Sequence, residues 1–228
     1  MKVGTRINGF KPASMGMSYS YMVDEALENL KKTGYDVCEL ALDRTCQGAL
    51  PLSDRLEMVE NIDNVPEKIR EDVHDIGVDI VSLSADWIWT YSWDHPDFSD
   101  WLKCGQAKRI LEKDLSLADK VGAERLLVFL GDSEGDWEDA LKIFEEFTEI
   151  AESYDVTLGY ESGHAFNIGG LDGLLKMHDE IDSDNFGIVF HNFYLYDVPH
   201  LTTDVPPSEE LRKIGDRLVG NHGNPLTP

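Results

Sequence analysis

DKVGAERLLVF, residues 119–129, carries an amphipathic stretch through a glycine into an unbroken apolar run. Gly122 stands where a helix closes on a left-handed residue, and the apolar run after it does not alternate with polar residues. A strand that is apolar on both sides must be covered on both sides, which is the condition of a parallel sheet with crossover helices. The same helix–glycine–strand unit recurs in KKTGYDVCEL (31–40) and HDIGVDIVSL (74–83).

Outward from these units, strand-like runs fall at residues 3–10, 36–42, 79–85, 125–130, 157–160, 186–190 and, weakly, 217–221. Helical patterns separate them. From Asp136 onward, Trp137, Ala140, Leu141, Phe144, Phe147 and Ala151 keep one apolar face. Leu111, Leu115 and Ala118 do so in the helix before it, and Val23, Ala26, Leu27 and Leu30 in the first. No linker or low-complexity stretch interrupts the 228 residues, so one domain over 1–228 is expected. The class is α/β, with about seven β/α units where a closed (β/α)8 TIM barrel has eight. An open doubly wound sheet is the competing architecture. The absence of a GxGxxG or GKS/T after the first strand, in RINGFKPASMGMSYS, favours the barrel.

Composition narrows the function classes. Hydrophobic residues make up 42% and charged residues 28%. Forty-four acids against 20 Lys plus Arg leave a net charge of -24. The excess is dispersed, as in EKIREDVHDIGVD, GDSEGDWEDA and DEIDSDN, and repels phosphate backbones and anionic membranes. Nucleic acid and membrane partners are therefore not expected. A carboxylate-rich surface suited to high salt is the sharper reading, and an ordinary solvated surface the plainer one. The three cysteines, Cys38, Cys46 and Cys104, form no CxxC, so neither a disulfide scaffold nor a cysteine zinc site is expected. Cys38 reads as a small core residue. MKVGTRINGF runs directly into strand-like sequence and no apolar run is long enough for a bilayer, so a cytoplasmic protein is expected.

In a barrel, reactive groups gather where strands end. The polar residues there are Asn8, Glu39, Asp86 with Trp87, Asp132, Glu161 with His164, His191 with Asn192, and His222. Carboxylates and imidazoles on one rim can hold a divalent metal that polarises a substrate oxygen. Glu161 closes the apolar run VTLGY and is either a functional carboxylate or a cap for the next turn. His164, His191 and His222 each read as ligand-contacting or as hydrogen-bonded rim residues. Glu39, between Cys38 and Leu40, needs a polar partner: a substrate hydroxyl or a neighbouring basic group. His74, His95, His178 and His200 are expected to be solvated. Trp87, Trp89, Tyr91 and Trp93 either pack over the core or line a sugar site.

These segments resemble the xylose isomerase-like TIM barrels, the superfamily of sugar-phosphate isomerases and epimerases and of endonuclease IV. TGYDVCEL (33–40) is similar to its second strand and ADKVGAERLLVFLGD (118–132) to its fourth. GYESGHAFNIGG (159–170) is similar to its fifth strand and DRLVGNHGNP (216–225) to its seventh. The resemblance spans nearly the whole chain. It implies a divalent metal, with Mn, Zn, Mg or Co as candidates, held by Glu, Asp, His and Glu. The first Glu falls on Glu161 and the His on His222, while His191 stands at the Asp position. Asn224 and Pro225 replace the family's Lys-Asp, and no counterpart of the eighth-strand Glu follows before Pro228. The expected fold is thus a barrel lacking its last β/α unit, whether through truncation, a completing partner chain or lost activity.

The activity implied is a metal-dependent isomerase or epimerase of a small sugar or sugar derivative, moving a proton next to a carbonyl. Glu161 would be catalytic, with Asn8, Glu39, Trp87 and His164 contacting the sugar. A catalytically impaired binding or assembly protein is the alternative, and an endonuclease IV-like repair enzyme the third. Self-association is left open. No Arg or Lys cluster at a strand end marks a phosphate clamp.

Overall fold

The computed structural model describes residues 4–8, 28–32, 34–42, 66–85, 106–128, 137–161, 170–191 and 207–222. The strands are β1 (Gly4–Asn8), β2 (Val37–Leu42), β3 (Asp79–Ala85), β4 (Arg125–Val128), β5 (Thr157–Glu161), β6 (Phe186–His191) and β7 (Leu218–His222). The helices are α1 (Pro66–Asp75), α2 (Gln106–Val121), α3 (Trp137–Glu152), α4 (Gly170–Ile181) and α5 (Pro207–Ile214). Residues 28–32 are also helical.

All pairings are parallel and follow chain order from β1 to β7. Helical crossovers between successive parallel strands produce this order. The result is a curled α/β sheet of the TIM-barrel type. Among the described residues no pairing joins β7 to β1, and the seven strands are one fewer than a closed barrel has.

The two faces of the sheet differ. One packs on the helices: Leu40, Leu83, Leu126, Leu158, Tyr160 and Ile188 share a cluster with Leu111 and Leu115 of α2, Phe144 and Phe147 of α3 and Leu174 of α4. Tyr160 lies 4.2 Å from Phe144 and 4.6 Å from Phe186, ring centre to ring centre. Each fully buried Leu or Phe here stabilises the fold by about 1.5–3 kcal/mol. The apolar face expected in α3 is this one, with Phe144, Phe147 and Ala151 buried and Trp137, Ala140 and Leu141 packed half-buried beside them. Leu111, Leu115 and Ala118 of α2 are fully buried as their spacing implied.

The glycine positions are helix ends, as expected. Gly77 (φ 77°) and Gly122 (φ 79°) are left-handed. Around them Val78 N–H donates to Val73 O at 3.3 Å and Ala123 N–H to Ala118 O at 2.8 Å, with inner bonds Gly77 to His74 and Gly122 to Asp119. These are Schellman closures. Sequence reading missed that Asp155 (φ 56°) closes α3 in the same way, and that Asp182 (φ 50°) closes α4 by a single bond from its N–H to His178 O at 3.0 Å. One boundary also differs: residues 215–217 form a 3-10 turn, so the seventh strand begins at Leu218 and not at Arg217. Arg217 instead turns outward to Asp179, Nη2 to Oδ1 2.7 Å. Among the described residues no helix is long and apolar enough to cross a membrane.

Candidate functional site

Glu161 is the last residue of β5 and only 2% exposed. Its neighbour Tyr160 is committed to the helix side, so strand alternation sends Glu161 to the inner face. Leu127 and Val189 share that face: a methyl added at Gly159 would lie 2.7 Å from Leu127 Cδ2 and 2.8 Å from Val189 Cγ2.

Register places the candidates on the same face, in successive rungs. The lowest rung is Arg6–Glu39–Ser82–Arg125–Thr157. The next is Asn8–Ala41–Ser84–Leu127–Gly159–Gly187. Above it stand Glu161, Val189 and Gly220. The top rung pairs His191 directly with His222. Glu39, Asn8, Glu161 and the two histidines thus occupy one face of one sheet, although up to 214 positions separate them in the chain (Asn8 to His222). Glu161 lies one rung below the histidine pair, on the strand next to β6.

The inner face on β2 to β5 is unlike a barrel core filled with branched aliphatics. It presents Glu39, Ser82, Ser84 and Glu161, all buried. The Ser82 hydroxyl donates to Glu39 Oε2 at 3.1 Å. The partner expected for Glu39 was a substrate hydroxyl or a basic group; here a serine hydroxyl donates to it, and that contact depends on a slip in register. Cys38 pairs with Ile80 but Glu39 pairs with Ser82, so Val81 is an extra residue in β3. Without that bulge Val81 would face Glu39. Next to Glu39, the buried Cys38 is a core residue as expected, and its thiol is pushed up to about 12, first by burial and then by the charges of Glu39 and Asp79.

Of the remaining candidates, Trp87 and His164 lie outside the described residues, as do Asp86, Asp132, Asn192, His95, His200, Trp89, Tyr91 and Trp93. Asn8, His191 and His222 are placed by backbone alone. His74 is exposed as expected. His178 corrects an expectation: its side chain is 22% exposed, not solvated, and stands edge-on to Phe186 at 5.6 Å. Burial holds its pKa below the usual histidine value, helped by the Arg217 charge and opposed by Asp179 and Asp182. Helical periodicity carried the signal: His178 stands four residues after Leu174 and three before Ile181, within the apolar stripe of α4.

Among the residues whose side chains are described, no three His, Cys, Asp or Glu gather as a metal site. The donor types at the strand ends, one buried carboxylate and two imidazoles in register, suit a divalent ion of the zinc, manganese or cobalt kind. A groove of about 870 Å³ opens at the other end of the strands. Arg70, Lys120 and Arg125 line it together with Glu71, Asp79 and Glu124. It lies at the end of the barrel where stability rather than catalysis is normally encoded.

The chain belongs to the xylose isomerase-like TIM barrel family, whose profile matches residues 27–224. Solved structures share the fold. A xylose isomerase domain protein from Planctomyces limnophilus is 15% identical with a TM-score of 0.64, covering 97% of this chain and 72% of that one. The D-allulose 3-epimerase of Methylomonas sp. is 14% identical with a TM-score of 0.67, covering 97% and 72%. The 3-keto-D-glucoside 4-epimerase of E. coli is 16% identical with a TM-score of 0.65, covering 97% and 78%. No curated protein matches the sequence.

Proposed function

We propose that the protein is a metal-dependent isomerase or epimerase of a small sugar or sugar derivative, acting at a carbon next to a carbonyl. The observation that carries this reading is the buried Glu161 at the end of β5, one rung below the register pair His191–His222. Membership of the family and the likeness to sugar epimerases support it.

Glu161, His191 and His222 would hold the ion, and a bound divalent cation polarises a carbonyl or hydroxyl oxygen and so acidifies the adjacent C–H. Glu161 is the base. It takes the proton from the carbon next to the carbonyl and, for isomerisation, returns it to the neighbouring carbon; epimerisation instead protonates the same carbon from the opposite face. Return to the opposite side of that carbon requires a second donor. Glu39, held by Ser82 two rungs lower, would accept a sugar hydroxyl, and Asn8, Trp87 and His164 would complete the substrate contacts. The polar inner face favours a hydroxylated substrate over an apolar one, since each sugar hydroxyl taken from water needs a partner.

The test is solvent exchange. Small ketoses and aldoses incubated in D2O with Mn²⁺, Zn²⁺, Co²⁺ or Mg²⁺ should gain deuterium next to the carbonyl, read by NMR. Glu161→Gln should slow this about 10²–10⁴-fold, the usual contribution of a positioned base, with unchanged circular dichroism. Retained exchange in the variant would overturn the role of Glu161. Absence of exchange with every sugar, together with no bound metal by elemental analysis, would favour a binding or assembly protein instead.

A further inference from the structure

The top rung exists because β7 carries one residue too many. Ile188 pairs with Leu218, but Val189 pairs with Gly220, so Val219 is left over as a bulge. Continued in step from Ile188–Leu218, the strands would set Asn221, not His222, beside His191. The single extra residue exchanges an amide for an imidazole at this position and also reverses which face each occupies.

The side chain of Val219 has a defined place. A methyl added at Gly187 would lie 2.3 Å and 2.6 Å from the two Val219 methyls, and one added at Gly159 would lie 3.1 Å from Cγ2. Val219 therefore fills space that two inner-face glycines leave empty on β5 and β6. The other bulge in the sheet acts alike: the extra Val81 brings Ser82 into the rung of Glu39, where its hydroxyl donates at 3.1 Å.

We propose that Val219 is a positioning residue: wedged over Gly187 and Gly159, it holds the β7 bulge that delivers His222 to the rung of His191. The function of that delivery rests on the metal reading above; the register does not.

The experiment reads both separately. In a Cys46→Ser/Cys104→Ser background, one variant carries His191→Cys with His222→Cys and another His191→Cys with Asn221→Cys, each treated with dibromobimane, which fluoresces on bridging two thiols. Register partners sit about 4.8 Å apart and on one face. The 191/222 pair should bridge and the 191/221 pair should not. Adding Gly187→Ala should reverse the preference, and Val219→Ala on top should restore it, since it removes the two shortest contacts. In the histidine-bearing protein, Gly187→Ala should weaken Zn²⁺ binding at least tenfold by calorimetry, with Val219→Ala recovering most of the loss.

A Gly187→Ala protein that still bridges 191/222, or a double variant that does not regain it, would overturn the proposal. Should Gly187→Ala alone not fold, recovery of both fold and 191/222 bridging in the double variant supports the wedge, and failure to recover overturns it. Bridging that follows the pattern in a protein taking up no Zn²⁺ or Mn²⁺ would uphold the wedge and refute the metal reading.

Discussion

Glu39 and Ser82 show how much a single contact carries inside this sheet. Both are buried, and the hydroxyl donates to the carboxylate at 3.1 Å. Ser82→Ala removes the donor and leaves the acceptor in place, the unfavourable half of a hydrogen-bond deletion. A loss of about 1–3 kcal/mol in urea unfolding is expected; no change would mean that Glu39 relies on other contacts. Cys38 offers a pH test. Its thiol moves from 9.0 in the unfolded reference to about 12 in the fold. Between those values the folded chain holds a proton that the unfolded chain has released. The contribution is therefore whole below pH 9.0 and is lost as pH rises toward about 12. Wild type should lose stability faster than Cys38→Ala between pH 8 and 10.5; parallel curves would refute it. At this scale the sequence was partly legible. Glu161 could be placed because an apolar run ends at it, and strand alternation does the rest. Ser82 could not, because its pairing depends on a bulge, and a bulge leaves no mark on a run of Asp, Ile, Val, Ser and Leu.

The elements were legible where backbone chemistry and hydrophobic period agree. Gly34, Gly77 and Gly122 end helices because a left-handed residue is needed there, and glycine enters that region without a Cβ penalty. The aspartates that serve the same purpose, Asp155 and Asp182, read in the sequence only as two more acids among many. They give a paired prediction. Asp155, exposed at φ 56°, should gain up to about 1 kcal/mol on substitution by glycine, the left-handed penalty being about 1–2 kcal/mol less the entropy glycine adds to the unfolded chain. Gly122→Ala should lose about 1–2 kcal/mol by the same rule. Its new methyl would meet Arg70 at 3.5 Å, an ordinary contact, so the cost is backbone alone. Thermal melts of the two proteins moving in opposite directions would bear this out; a destabilised Asp155→Gly would show that the aspartate side chain stabilises the turn. The seventh strand was the least legible element, since its start is hidden by a 3-10 turn and its register by Val219.

For the whole molecule, the order of the sheet follows from helical crossovers between parallel strands; counting units left a barrel and an open sheet in competition, and the missing phosphate fingerprint favoured the barrel. Charge is the other property of this scale, and it opposes compactness. Ion pairs such as Lys108–Glu146 at 2.6 Å and Lys213–Asp172 at 3.5 Å are at least partly solvent-exposed and stabilise little. With 44 acids to 20 basic residues, carboxylates outnumber cations by more than two to one. Their mutual repulsion is long-ranged, and it is screened as the Debye length shrinks from about 10 Å at 0.1 M salt to about 3 Å at 1 M. The melting temperature should therefore climb with KCl across that range. Screening can be separated from general salt effects by neutralising exposed acids on α2 and α3. Glu112, Glu138, Glu145 and Glu149 are all exposed, and changing them together to Gln should raise the melting temperature at 0.1 M salt and flatten the climb. A climb that is just as steep in the neutralised protein would assign it to water structure and not to charge, and no climb at all would remove the reading of this surface as one suited to high salt.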